Sequence, residues 1–112
     1  MDTPPLHVIC LCAAWCGTCR DYAAVVETLR AEFPALRFSW VDVEDQADLV
    51  DPVDINDFPT LLITRDSQPV FFGILRPQAD ALRRLVQLQL DDKPAALSDP
   101  AALGLAQRLR DL

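Results

Sequence analysis

The chain alternates short apolar runs with stretches that repeat every three or four residues. "LHVICLC", residues 6–12, is short, apolar and partly β-branched, and reads as a buried strand. Behind it Cys19, Tyr22, Val26, Leu29 and Phe33 step by 3, 4, 3 and 4 positions. That is the period of a helix with one inward stripe. The helix is predicted to start at Cys16 and to be closed by Pro34. "LRFSWVDV", residues 36–43, reads as a second strand, with a short acidic helical piece, "EDQADLVD", after it. "PTLLIT", 59–64, and "PVFFGIL", 69–75, are two more strands. The turn-like "RDSQ" between them predicts an antiparallel hairpin. "PQADALRRLVQLQL", 77–90, is a helix with Pro77 near its first turn. After "DDKP" a last helix is expected to start near Ser98, an N-cap candidate. Leu105, Leu109 and Leu112 lie along one side of it. The predicted order is β-α-β-(α)-β-β-α-α, an α/β fold.

The 112 residues suit one compact domain. No apolar run approaches the roughly 20 residues that span a bilayer. Net charge is −7, from 17 acids and 10 bases. Nucleic acid and anionic membrane both select a basic face, so neither is an expected partner. The N-terminus carries an acid where a secretory signal has basic residues, so a cytoplasmic protein is expected.

Cys10, Cys12, Cys16 and Cys19 fall within ten residues. Such a cluster cannot tie distant parts of a chain together as a disulfide framework does. In a reducing compartment it means redox chemistry or metal. A zinc site is disfavoured, because Cys10 and Cys12 lie in an apolar strand expected inside the sheet. The C-x-x-C pair between a strand and a helix reads instead as a redox couple. Cys16 sits at the predicted helix N-terminus, where free N–H groups and the helix dipole favour a thiolate. Cys19 is one turn on, in the inward stripe. One exposed nucleophile and one shielded resolving thiol is the division that thiol–disulfide exchange needs.

"AAWCGTCR" followed by "DFPTLLI" resembles the thioredoxin family over roughly residues 6–90. The resemblance rests on the W-C-G-x-C motif, on Pro-Thr opening the third strand, and on Gly73 late in the fourth. It implies a thioredoxin-like fold: a four-stranded mixed sheet flanked by helices, without the family's first strand and helix, and with an extra C-terminal helix. Residues 1–90 would be the thioredoxin-like domain, and 91–112 a linker and helical extension. By position Cys16 is then the nucleophile and Cys19 the resolving cysteine. Trp15, Gly17 and Thr18 would shape the substrate surface. Pro59 would be a cis-proline facing the cysteines, and the backbone of Phe58 would pair with an extended substrate segment. Gly73 would keep the neighbouring surface low.

Three departures stand out. Gly17-Thr18 replaces the usual Gly-Pro between the cysteines, which restores a backbone N–H and adds a hydroxyl. The family's buried acid falls on Cys10, which is either core packing or an auxiliary thiol. Cys12 replaces an aromatic and shares a strand face with Cys10; it is expected to pack as a small hydrophobe. His7 is expected at the surface or a strand edge, without a catalytic role. The reading is a cytoplasmic thiol–disulfide oxidoreductase acting on protein or small-molecule disulfides. It would need no cofactor or metal, and would be recharged by a reductase or a low-molecular-weight thiol. The rival is a thioredoxin-fold binding, assembly or redox-sensing module with little turnover.

Overall fold

The computed structural model describes residues 5–13, 17–50, 59–75, 78–92 and 95–110. Strand β1, His7–Cys12, runs in the middle of a four-stranded sheet of order β2-β1-β3-β4. β2, Arg37–Asp42, pairs with it in parallel. β3, Thr60–Arg65, pairs antiparallel on the other side, and β4, Gln68–Ile74, pairs antiparallel with β3. The helices are α1, Gly17–Glu32, short α2, Ala47–Val50, α3, Ala79–Asp92, and α4, Pro100–Arg108. The mixed sheet agrees with what the family resemblance implies, and the β3–β4 hairpin agrees with the sequence pattern.

From Val8 onward β1 is apolar because both of its faces are covered. Val8, Cys10 and Cys12 point into one core, with Cys19, Tyr22, Val26 and Leu29 of α1 and Leu82 and Val86 of α3. Ile9 and Leu11 point the other way, toward Val41, Val50, Leu62, Leu105, Ala106 and Leu109. The alternation is the period of two of a strand. An exposed bidentate pair, Arg83 Nε and Nη2 to the two carboxylate oxygens of Glu32 at 2.8 Å, joins α3 to α1.

Two expectations change here. His7 is buried, with 9 % of its surface exposed, because β1 is a central strand and not an edge. The N-cap of α4 is Asp99, not Ser98: its carboxylate accepts from Ala102 N–H at 3.2 Å, with Pro100 following in the first turn. Leu105 and Leu109 are fully buried, and Ala102 and Ala106 let the helix come close to the sheet. The predicted third leucine, Leu112, and the predicted helix start Pro77 lie outside the described residues. After α3 the chain returns to the β4 edge, where Leu97 N–H donates to the Pro69 carbonyl at 2.7 Å.

The hairpin turn is tight. Arg65 pairs with Gln68, and the two residues between, Asp66 and Ser67, have φ of 53° and 67°. That is the left-handed pair of a type I′ turn, which suits the twist of a two-residue hairpin and favours Asp-Gly or Asn-Gly. Ser67 carries a Cβ penalty that glycine lacks. Ser67→Gly is expected to raise stability by about 1 kcal/mol. A higher urea midpoint at unchanged m-value would show it.

Candidate active site

β1 delivers Cys10 and Cys12 to its C-terminal end, and the first turn of α1 delivers Cys19. The Cys12 and Cys19 sulfurs are bonded to each other, with Cα atoms 5.7 Å apart, a usual separation for a disulfide. Both are within 1 % of full burial. The expectation that Cys12 only packs as a small hydrophobe is therefore corrected. The strand end and the first helical turn face each other across one core, and this brings two inward sulfurs to bonding distance.

Cys10 is the free thiol of the described residues and is equally buried. Its sulfur lies 3.8 Å from that of Cys12. Cys12 has no proton in the disulfide, so the Cys10 S–H is the donor of this weak contact. Burial pushes the Cys10 thiol up to about 12, so it stays protonated at neutral pH. A thiol that already holds its proton cannot take one from Cys19, so Cys10 does not replace the acid whose place it occupies. The phenol of Tyr22 shares this core. Burial, with a smaller effect of Cys10, holds it above the usual tyrosine range. Its hydroxyl has no hydrogen-bond partner among the described residues.

Other predicted site residues gather at the same end of the sheet. Pro59 is buried and directly precedes β3. Leu11 pairs with Thr60, so one further step of that register sets Pro59 opposite Cys12. Gly73 pairs with Leu61, which in turn pairs with Cys10. The irregularity of the hairpin lies between Ile63 and Thr64, not at Gly73. A Cβ at Gly73 would meet Phe71 Cζ at 3.7 Å, an ordinary contact, so packing does not exclude a side chain there. Gly17 and Thr18 are exposed in the first turn of α1. Trp15, Cys16 and Phe58, and with Phe58 the predicted cis bond, lie outside the described residues.

His7, expected from the sequence at the surface or a strand edge, is instead inside the sheet, and its ring contacts the Ser39 hydroxyl, Nε2 to Oγ, at 2.7 Å. Burial first, then the Arg37 charge, lowers its pKa to about 4. Among the described residues no group of three or more His, Cys, Asp or Glu side chains is placed to hold a metal. No described helix is long and apolar enough to cross a membrane.

The family model described as Thioredoxin matches residues 2–87. A thioredoxin H-type of Fagopyrum esculentum is 35 % identical over 69 residues, covering 62 % of this chain and 60 % of its own length. A thioredoxin H-type of Picea mariana is 33 % identical over 88 residues, covering 79 % of this chain and 70 % of its own. The X-ray structure of Fasciola hepatica thioredoxin is similar with a TM-score of 0.66 at 29 % identity, covering 76 % of this chain and 81 % of that one. The matched span takes in the whole sheet and the bonded cysteines and ends within α3, short of α4. Sequence, sheet order and the sulfur chemistry at the end of β1 thus converge, and the chain belongs to the thioredoxin family of thiol–disulfide oxidoreductases.

Proposed function

We propose that this chain exchanges disulfides with protein or small-molecule substrates through Cys16 and Cys19. Cys16 attacks the substrate disulfide as a thiolate, and Cys19 resolves the mixed disulfide. The observation that carries the reading is Cys19: it is buried in the first turn of α1 and its sulfur is already in a disulfide. The N–H groups that open α1 are the electrostatic support for a thiolate one residue before it. Trp15, Gly17, Thr18, Phe58, Pro59 and Gly73 are assigned to substrate contact. The place of Pro59 next to the cysteine end of β1, and that of Gly73 at the same end of the sheet one strand further on, support this for those two. Electrons reside on sulfur, so the step invokes no cofactor. A reductase or low-molecular-weight thiol recharges the pair, in a reducing, cytoplasmic setting. Residues 1–90 are read as the thioredoxin-like unit, and 91–112 as a linker and helix that cover its second face.

A second reading, a redox-sensing or binding module with little turnover, draws on the same disulfide, because Cys19 is bonded here to Cys12. Insulin reduction with dithiothreitol separates the two. The expected result is precipitation of the insulin B chain many times faster than with dithiothreitol alone. A rate equal to the dithiothreitol control would favour the sensing module.

Cys10 is assigned an auxiliary role beside the resolving step. It cannot accept the Cys19 proton at neutral pH, so release of the mixed disulfide is expected to be slow. Cys10→Asp should speed that release near neutral pH, and burying a carboxyl there should lower stability. Rapid-quench trapping of the mixed disulfide measures it, and equal release rates would reduce Cys10 to packing.

A further inference from the structure

Three sulfurs, those of Cys10, Cys12 and Cys19, lie together in the core between β1 and α1. We propose that Cys19 is shared between two partners, and that the oxidised protein moves its disulfide inward from Cys16–Cys19 to Cys12–Cys19. This rests on the reading of Cys16 and Cys19 as the active dithiol.

The step balances on sulfur alone. The Cys12 sulfur attacks Cys19 Sγ, and the Cys12–Cys19 bond forms as the Cys16–Cys19 bond breaks. The proton that Cys12 gives up passes to the departing Cys16 sulfur, which keeps it as a thiol or sheds it as a thiolate according to the pH. No electrons enter or leave, so no oxidant beyond the substrate disulfide is needed.

The geometry supports the inner bond. Cys12 Cα is 5.7 Å from Cys19 Cα, and the two side chains face each other from strand and helix. Neither sulfur reaches solvent, so no protein partner can attack the inner bond directly. Its exit is the reverse exchange, with Cys16 attacking Cys19 and Cys12 departing. Cys10, with its S–H 3.8 Å from Cys12, is placed to donate to the departing sulfur. While the inner bond holds, the protein has no resolving thiol. Cys16 is then a monothiol that keeps what it captures. The shared cysteine converts a two-thiol exchanger into a one-thiol trap, and the disulfide-bearing partner is held as a mixed disulfide.

The test uses the full chain. Protein oxidised with stoichiometric diamide is sampled over time, quenched in acid, alkylated and digested with chymotrypsin. Cleavage after Trp15 puts Cys10 and Cys12 on one fragment and Cys16 and Cys19 on the other. A Cys16–Cys19 bond therefore stays within a fragment, whereas Cys12–Cys19 links the two. The linked mass is expected to grow with time while two thiols stay free, the free pair changing from Cys10 and Cys12 to Cys10 and Cys16. Cys10→Ser should give the same link, and Cys12→Ser should lose it. Cys16→Ser should still lose two thiols to the linked form on oxidation. If wild type gives only the bond within the fragment and Cys16→Ser keeps its three thiols, the shared cysteine is overturned and the Cys16–Cys19 reading stands. If the link is present from the first sample and no Cys16–Cys19 form precedes it, the exchange is overturned together with that reading.

Discussion

Replacing Cys16 by serine is expected to lower the rate of insulin disulfide reduction by at least about a thousandfold, near 4 kcal/mol of barrier. The attack needs a thiolate, and a serine hydroxyl is neither ionised near neutral pH nor nucleophilic toward a disulfide. Cys19→Ser is expected to fail differently. Its first half-reaction persists, because Cys16 and the opening turn of α1 are intact. The mixed disulfide then has no resolving thiol and accumulates, to be seen as a stable mass adduct on Cys16. The asymmetry follows from burial: Cys19 is 1 % exposed and cannot meet a protein substrate itself. Neutral-pH alkylation of the reduced protein gives an independent check. Faster labelling of Cys19 than of Cys16 would reverse the two roles.

Much of this arrangement was legible in the pattern of the chain. The stripe Cys19, Tyr22, Val26 and Leu29 marks one helix face, and all four are buried on it. The period of two puts Cys10 and Cys12 on one face of β1, and the structure turns that face toward Cys19. The bond from Cys12 to Cys19 was not legible. It depends on how closely the end of a strand approaches the first turn of the next helix, a distance no periodicity encodes. His7 was misread for a related reason. At the start of an apolar run it looks like an end residue, and only the sheet order makes β1 central. The hairpin was legible from "RDSQ", but its left-handed turn was not, because Asp66-Ser67 lacks the glycine that usually marks one. Ser98 and Asp99 are both good caps by residue type, and which of them caps is fixed by where the chain turns onto the sheet.

Stability is expected to fall by about 2 kcal/mol between pH 7 and pH 5, and His7 is the group responsible. Its folded pKa is lowered to about 4 by burial, with the Arg37 charge adding to it. In the unfolded chain an imidazole titrates near 6.5. Well above pH 6.5, from about pH 7.5 up, His7 is neutral in both states and contributes no slope. Below that pH the unfolded chain binds a proton that the folded protein refuses, so stability declines with each step toward acid. The decline ends near the folded pKa, where the native protein also takes the proton. His7 is the chain's one histidine, so no other imidazole adds to this window. The carboxylate of Glu32, held below the usual range by its hydrogen bonds and charge pairing with Arg83, titrates in more acid solution and cannot supply the slope above pH 5. Urea midpoints at pH 7 and pH 5 for wild type and His7→Gln measure the effect. Glutamine keeps a group that can bond the Ser39 hydroxyl and has no proton to gain. The variant is expected to lose the pH dependence in this window even if its stability at pH 7 is lower. An equal slope in both proteins would mean that the folded state admits the proton, and that the ring of His7 opens to water before it charges.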